Sequence, residues 1–299
     1  MWLHALTFDA LVEVSHSGTA PSSMGAPDNV LARIHEAFPA GVATDRAAFV
    51  ATLASLGAPP PLPAACEEMS CSAGVRVLRV PLRGEAGAAW NARLAPLVLF
   101  FIDAGQLIDV SDDKWELLVA VSSASGGSHL VDGFATCYRF YAHPHASRLR
   151  LSQLLVLPPR QRRGAAGALV GGVRALAGRL GCSDTTVEDP TPELQRVREV
   201  ADVTAARGMP SVVAAAAAAV RAATRADAGD GRAAALSMPQ SIADALRATL
   251  RCCRPQAKIV WEAMLFLAAR VRRAAASTGF VPSLYLTPDI TIRRSYFSS

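Results

Sequence analysis

The strongest constraint on the fold of this chain is a strand, a tight turn and a helix in succession between residues 151 and 181. Leu151–Leu157 is a mostly apolar segment of strand length, and the proline pair after it ends the strand because proline lacks a backbone donor. The predicted helix carries Leu169, Val173, Leu176 and Leu180 on one face. Gly181 suits the end of that helix, because glycine readily adopts the left-handed conformation found there.

The start of this helix is a candidate site for an anion. The first backbone N–H groups of a helix have no partner inside it, and the helix dipole adds positive potential there. Gly164 lets the backbone approach a ligand closely, and Arg160, Arg162 and Arg163 form a basic cluster beside it. A net charge of only +5 argues against nucleic acid, so a small anionic ligand suits the cluster better. The alternative is an ordinary strand-to-helix connection with exposed arginines.

Periodicity predicts the elements on either side of this unit. Strands are predicted at Val75–Val80, Leu117–Val121, Phe134–Tyr141 and Thr185–Val187. Helices are predicted over Val30–Phe38, Phe49–Leu56 and Ile259–Val271, and over Trp90–Phe101, where Trp90, Leu94, Leu97 and Phe101 form a buried stripe. The alanine run Ala214–Ala219 is expected to be a surface helix or a poorly ordered insert, because alanine has little to bury.

Composition indicates a globular chain without a membrane span. Of its 299 residues, 51% are hydrophobic and 18% are charged. The longest apolar runs fall short of the ~20 residues that a spanning helix needs. The start, Met1–Val14, has no Lys or Arg and does not resemble a secretion signal. The six cysteines form no C-x-x-C pair and no His cluster has zinc spacing, so reduced thiols and no metal site are expected. Cys137 and Cys182 lie on or beside apolar elements and are expected to be buried core residues rather than nucleophiles.

The turn also carries a sequence motif. Gln161-x-x-Gly164-x-Ala166 resembles the Q/R-x-x-G-x-G/A signature of the GNAT acetyltransferases. A P-loop is excluded because no Gly-Lys-Ser/Thr follows, and a dinucleotide fingerprint is excluded because the pattern is not G-x-G-x-x-G.

The resemblance extends beyond the turn, to the type B histone acetyltransferase catalytic subunits. It is carried by Arg148–Leu157, Val187-Glu188-Asp189-Pro190, Val197-Arg198-Glu199, Phe101-Ile102-Asp103-Ala104, Ile108-Asp109-Val110 and Asp113-Lys114-Trp115. The strong part covers about Leu94 to Glu199. Arg162 and Ala166 stand where the loop of that family has glycine.

The resemblance implies an α+β fold, the GNAT N-acyltransferase fold, with a mixed, mostly antiparallel sheet. A small N-terminal α/β segment and a helical C-terminal domain are expected to flank it. The expected boundaries are an N-terminal segment at 1–62, truncated relative to the family, an acetyltransferase core at 63–202, and a helical domain with an alanine-rich insert at 203–299.

The implied reaction needs a carboxylate that takes a proton from an amine. A lysine ammonium has a pKa near ~10.4 and must lose a proton before it can attack a thioester. The resemblance makes Glu188 this base, and Glu188 follows a predicted strand next to the one that leads into the turn. Asp189 and Asp103 match neighbouring acids of the family. The alternative is that Asp189, before a proline, merely starts the next helix.

The resemblance also implies the ligands, and acetyl-CoA is the expected co-substrate. Its implied contacts are Leu154, Leu155, Val156, Gln161, Arg162, Arg163, Gly164, Ala165, Ala166, Gly167, Thr191 and Arg198. The implied substrate residues are Tyr138, Arg139 and Phe140. A backbone N–H within Leu154–Val156 is expected to stabilise the thioester oxygen.

The expected activity is transfer of acetyl to the amino-terminal tail of free histone H4, in the nucleus and cytoplasm. A WD-repeat histone-binding protein is a further implied partner, and neither nucleic acid nor membrane is expected to bind directly. Two alternatives stay open: an acetyltransferase of another amine, and a catalytically inactive module that binds CoA or a histone chaperone.

Overall fold

The computed structural model of this protein describes residues 2–3, 10–13, 18, 29–37, 42–56, 62–72, 74–123, 129–226 and 230–278. The chain divides into two compact units. The first comprises Met1–Arg139 and Ser152–Gly172, and the second comprises Phe140–Leu151 and Val173–Ser299. The expected division at residues 62 and 202 stays a prediction.

The first unit begins with a short antiparallel pair of strands and two helices. Strand β1 (Trp2–Leu3) pairs with β2 (Ala10–Leu11), and helices α1 (Val30–Ala37) and α2 (Arg46–Leu56) follow. Each helix has a side-chain cap: the carboxamide of Asn29 accepts from Ala32 N at 3.0 Å, and the Asp45 carboxylate accepts from Ala48 N at 2.6 Å. Both predicted N-terminal helices are confirmed, although Phe38 lies outside the described residues.

A single six-stranded sheet follows in the order β3-β4-β5-β6-β7-β8. Its strands are β3 (Glu67–Ser72), β4 (Val75–Val80), β5 (Trp115–Ser123), β6 (His129–Ala142), β7 (Ala146–Val156) and β8 (Asp184–Val187). Neighbours from β3 to β6 pair antiparallel, whereas β7 and β8 run parallel. The expected GNAT-type α+β fold with a mixed, mostly antiparallel sheet is therefore confirmed. Strand β3 was not predicted.

Helix α3 (Glu85–Phe101) supplies the apolar face that covers the first core. Trp90, Leu94 and Leu97 are buried as predicted. Phe101 was wrongly placed in that buried stripe, since 49% of it is exposed. The stripe instead drifts to Val98 and Ile102, because 3.6 residues make a turn. The core also contains Leu78, Val80, Leu117, Val119, Val121, Val131, Phe134, Leu155 and Leu157.

The second unit contains a helical core of its own. Its helices are α5 (Pro192–Arg207), α6 (Pro210–Ala223), α7 (Asp230–Leu236), α8 (Gln240–Leu250) and α9 (Arg254–Thr278). Helix α4 (Ala165–Arg179) begins in the first unit and ends in the second. Helix α9 contains the predicted helix around Trp261, whose indole N–H donates to the carbonyl of Leu236 at 2.9 Å. The helix over Gln240–Leu250 was not predicted.

The alanine run was expected at the surface or in a poorly ordered insert, and that expectation is wrong for helix α6. Val212, Ala216 and Val220 are buried in the second core, which also contains Leu246 and Met264. Residues four apart lie on the same face of a helix, so Ala216 shares the packed face with the two valines and contributes to packing.

Within the described residues, no single helix is long and apolar enough to cross a membrane. Helices α5 and α6 together pass by length and composition, but the chain bends by 94° between them.

Candidate active site

The turn between β7 and α4 reverses the chain within a few residues. Pro158–Arg160 form one turn of 3₁₀ helix, in which Arg160 N donates to the carbonyl of Leu157 at 2.8 Å. Arg162 and Gly164 then adopt left-handed backbone conformations, with φ of 65° and 90°. Helix α4 begins immediately afterwards, at the small residues that the sequence indicated.

The start of α4 presents a row of backbone donors. The hydrogen bonds of the helix begin at Ala168, whose N–H donates to the carbonyl of Gly164 at 3.0 Å. In the described part of the chain, no acceptor bonds the N–H groups of Gly164, Ala165, Ala166 and Gly167. Gly164 is exposed, and Ala166 and Gly167 are half-buried. Unpaired amides at the positive end of a helix dipole can together bind a phosphate.

The polar side chains of the turn differ in their partners. Gln161 donates to the carbonyl of Val156 at 3.1 Å, so it holds the turn against the end of β7. Arg160, one of the three arginines of the predicted basic cluster, forms an ion pair with Asp132, so its charge is already neutralised within the fold. Arg162 and Arg163 are exposed, and no carboxylate among the described residues pairs with them. Two cations rather than three therefore remain beside the unpaired amides.

Strand β7 is paired with β8 along its first part and has no partner in β8 along its last part. Its parallel ladder with β8 ends where Leu151 stands opposite Val187, and Glu188 N then donates to the carbonyl of Leu151 at 3.0 Å. Beyond this point, the ladder pairs no residue of β8 with Leu154–Val156. An open backbone edge of this kind can bond an extended ligand, as the sequence predicted for this segment.

In the second unit, Glu188 lies in a small cluster with Arg150 and Phe140. The Glu188 carboxylate is 3.5 Å from the Arg150 guanidinium, and both side chains are nearly half exposed, at 46% and 43%. The Arg150 guanidinium carbon lies 4.9 Å from the centre of the Phe140 ring, a cation–π distance. Phe140, a predicted substrate residue, and Glu188, the predicted base, therefore both contact Arg150.

Thr191, not Asp189, caps the helix that follows. The Thr191 hydroxyl accepts from Leu194 N at 3.3 Å, and Pro192 is the first residue of α5. The alternative role of Asp189 as the helix start is therefore wrong. Asp189 is exposed and has a positive φ of 32°, which leaves its carboxylate outside the cap.

Arg198 faces a buried polar cluster. Burial raises the pKa of Asp202, and the charges of Arg174 and, to a smaller extent, Arg198 oppose this shift. Asp202 also bonds Arg174, and it accepts from Gln256 at 2.9 Å. A contact of Arg198 with a cofactor stays a prediction.

The other predicted residues lie in the first unit, around the loop after α3. Asp103 is exposed, and no described residue bonds its carboxylate. The Tyr138 hydroxyl donates to Asp112 at 3.0 Å, and Arg139 N donates to the carbonyl of Lys114 at 3.0 Å. The structure therefore divides the predicted substrate triplet: Tyr138 and Arg139 of β6 bond this loop, whereas Phe140 contacts Arg150.

Sequence reasoning missed Arg150. A signal was present: arginines alternate with apolar residues at 148 and 150, and acids occur at 184 and 188 at even spacing. Since successive side chains of a strand alternate between faces, adjacent strands carrying these residues would pair them. Arg148 and Asp184 do so, at 2.6 and 2.5 Å.

No group of three or more His, Cys, Asp or Glu in the described part of the chain is placed to hold a metal ion. None of the six cysteines forms a disulfide, and Cys137 and Cys182 are completely buried, as predicted.

These features define an α+β domain of the N-acyltransferase type, with a turn of unpaired backbone amides before α4. Curated relatives are similar to one part of the chain. The histone acetyltransferase type B catalytic subunit of Zea mays is 37% identical over 131 residues, which cover 43% of this chain and 28% of that protein. The subunit of Arabidopsis thaliana is 28% identical over 197 residues, which cover 64% of this chain and 42% of that protein. The predicted resemblance is confirmed: the matched segment is related to the type B histone acetyltransferase catalytic subunits.

The matched segment spans less than half the length of these relatives. No protein-family model matches the chain. Among solved structures, an aminoglycoside acetyltransferase from a soil metagenomic sample, in complex with sisomicin, is 14% identical with a TM-score of 0.31. The alignment covers 40% of this chain and 79% of that chain.

Proposed function

We propose that this chain is the core of a histone lysine N-acetyltransferase that uses acetyl-CoA and acts on the amino-terminal tail of free histone H4. The observation that carries the proposal is the row of unpaired amides from Gly164 to Gly167, in a segment related to type B histone acetyltransferases. A pyrophosphate bound there receives several N–H donors at once, and Arg162 and Arg163 add positive charge.

The open edge of β7 fits the rest of the cofactor. In this proposal, the amide-containing arm of acetyl-CoA extends along Leu154–Val156 and bonds the backbone as an added strand would. One N–H of the same segment stabilises the negative charge that develops on the thioester oxygen. Holding both reactants side by side supplies much of the rate without a covalent enzyme intermediate.

Glu188 is the proposed general base. It accepts a proton from the lysine ammonium, and the neutral amine then attacks the thioester carbonyl. A carbon–nitrogen bond forms, the carbon–sulfur bond breaks, and the CoA thiolate leaves and takes up the proton that the nitrogen loses as it becomes an amide. Asp189 and Asp103 are proposed as supporting acids that attract the incoming cation. Thr191 and Arg198 are proposed cofactor contacts, and Tyr138 and Arg139 substrate contacts, on the family resemblance.

The ion pair between Arg150 and Glu188 supports a cation site at this carboxylate. An exposed pair contributes only about 0–1 kcal/mol, so an incoming ammonium can replace the guanidinium at small cost. The ring of Phe140 then offers its face to the departing arginine or to the alkyl chain of the lysine.

A transfer assay tests this proposal. Purified protein, acetyl-CoA and an H4 tail peptide are expected to yield acetyl-lysine by mass spectrometry. Glu188→Gln should lower kcat by about 10²–10⁴-fold, the usual contribution of a general base, with little change in CoA affinity. Glu193→Gln, a change of an exposed acid in the first turn of α5, is the matched control and should remain active. Full activity of Glu188→Gln would remove the base assignment.

The alternatives differ in the same assay. CoA binding with acetylation of an amine other than H4 would indicate a different acceptor, and CoA binding with no transfer would indicate an inactive module. A WD-repeat histone-binding partner and a location in the nucleus and cytoplasm are proposed on the family resemblance alone. Co-purification and imaging of the tagged full chain test these two points.

A further inference from the structure

A β-bulge in β6 directs one buried carboxylate toward the turn before α4. The β5–β6 ladder pairs Ala120 with Gly133 and then Val121 with Val131, so Asp132 is the extra residue. Val131 and Phe134, three residues apart, consequently both enter the first core. A bulge interrupts the alternation of a strand and can aim a side chain in a direction that a regular ladder forbids.

Asp132 binds the turn through both its backbone and its side chain. Its carbonyl accepts from Leu157 N at 3.0 Å, and its carboxylate forms an ion pair with the guanidinium of Arg160. Ser122 completes the cluster: its hydroxyl accepts from Arg160 at 2.6 Å and donates to Asp132 at 3.2 Å. All these atoms belong to the first unit, and Arg160 directly precedes the Gln161-x-x-Gly164 motif.

Stability alone is a weak explanation for this ion pair. The Asp132 side chain is only 2% exposed, that of Arg160 only 20%, and the second carboxylate oxygen of Asp132 is buried with no hydrogen-bond partner among the described residues. Removing such charges from water costs more than an incompletely bonded pair returns. A buried pair of this kind is better explained by the single geometry that it specifies.

We propose that Asp132 is a positioning residue for cofactor binding, which acts through Arg160 to fix the turn that holds the CoA pyrophosphate. This inference rests on the acetyl-CoA-dependent function proposed above. The bonds from Asp132 and Ser122 to Leu157 and Arg160, which we call the anchor, hold the first part of the turn on β6. The unpaired amides begin at Gly164, only four residues after Arg160. Because the amides are fixed before the ligand arrives, less conformational freedom is lost on binding.

CoA affinity, measured by calorimetry, tests the anchor. Asp132→Asn keeps the shape but removes the charge, and we expect the Kd for CoA to rise about tenfold, as when one charge-assisted hydrogen bond is lost. Ser122→Ala, a milder change that should fold even if the first variant does not, should raise it about threefold. The KM for acetyl-CoA should rise in parallel, while kcat at saturating acetyl-CoA stays within about twofold of the wild type.

The matched control is another ion pair of the first unit. Glu116, 8% exposed, makes two bonds of 2.8 Å with Arg79 and has no contact with the turn. Glu116→Gln should lower the melting temperature comparably and leave the Kd for CoA unchanged. An equal rise of Kd in both variants would show that general destabilisation, not the anchor, weakens binding.

Hydrogen exchange of the ligand-free protein separates this inference from the proposed function. Asp132→Asn and Ser122→Ala should accelerate exchange of the bonded amides of the turn, those of Arg160, Gln161 and Ala168, whereas Glu116→Gln should not. If the wild type fails to bind CoA, the proposed function is wrong, and the exchange rates still decide whether Asp132 fixes the turn. Unchanged exchange and unchanged Kd in the folded Ser122→Ala and Asp132→Asn variants would overturn the inference.

Discussion

Replacing Gly133 with alanine tests how closely strands β6 and β7 must approach each other. A Cβ added at Gly133 would lie 2.4 Å from the carbonyl oxygen of Leu155 and 2.9 Å from the Cα of Val156. Even close carbon–oxygen contacts in sheets are about 3.3 Å, so the oxygen would have to move by about 0.9 Å. Both neighbouring atoms are backbone atoms, and no side-chain rotation can relieve the overlap.

The magnitude follows from opposing effects. Overpacking costs about 1–3 kcal/mol, and a backbone clash falls at the upper end of that range. The loss of glycine returns roughly 0.4–1 kcal/mol, because the unfolded chain has fewer conformations. We therefore expect Gly133→Ala to reduce the free energy of unfolding by about 2 kcal/mol. Gly171→Ala is the matched control, since a Cβ there meets nothing within 4 Å and should stabilise helix α4 by about 0.8 kcal/mol.

Urea denaturation of both variants measures the difference, and CoA titration supplies a second readout. The displaced backbone, Leu155–Val156, is part of the edge proposed to bind the cofactor arm. Gly133→Ala should therefore weaken CoA binding about tenfold, and Gly171→Ala should leave it unchanged. Equal unfolding free energies for the two variants would refute the reasoning from the close approach of the two strands.

Two further predictions concern ionisable groups in the second unit. Burial raises the pKa of Asp202 despite the adjacent Arg174, so above ~3.9 the folded state retains a proton that the unfolded state has lost. Stability should thus fall as the pH rises through the raised pKa, and Asp202→Asn should flatten this dependence in urea unfolding; an unchanged pH dependence would contradict the assignment. Burial also raises the pKa of the Cys252 thiol to about 12. Iodoacetamide at about pH 8 should therefore label the exposed Cys71 and spare Cys252 in the folded protein, as read by mass spectrometry, and equal labelling would count against the burial.

The sequence predicted those elements whose own residues determine them. Strand β4 has the predicted bounds, Val75–Val80, because three of its six residues are β-branched valines, which favour a strand, and both ends of the run are apolar. Strand β3 was missed because Glu67–Ser72 contains no β-branched or aromatic residue, and its ladder with β4 makes it a strand. Helix α6 was misjudged for a related reason: composition does not reveal which alanines a neighbouring helix will cover.

In the candidate site, too, the features made by consecutive residues could be predicted, and those made by distant residues could not. The turn before α4 was predictable because consecutive residues create it, from the proline pair to Gly164. The anchor of Arg160 was not, because Asp132 lies 28 positions earlier and reaches the turn only through a bulge. The contact between Arg150 and Glu188 could have been predicted, since it requires only that two strands with charged residues lie side by side.

The anchor also accounts for the arginine at position 162, where the resembled loop has glycine. With φ at 65°, Arg162 adopts a left-handed conformation that costs a non-glycine residue about 1–2 kcal/mol. Such strain persists only where the surrounding structure over-determines the backbone. Here the two preceding residues are fixed, Arg160 by Asp132 and Gln161 by the carbonyl of Val156. The turn therefore has at Arg162 the left-handed backbone that glycine favours, and the arginine adds a cation beside the unpaired amides.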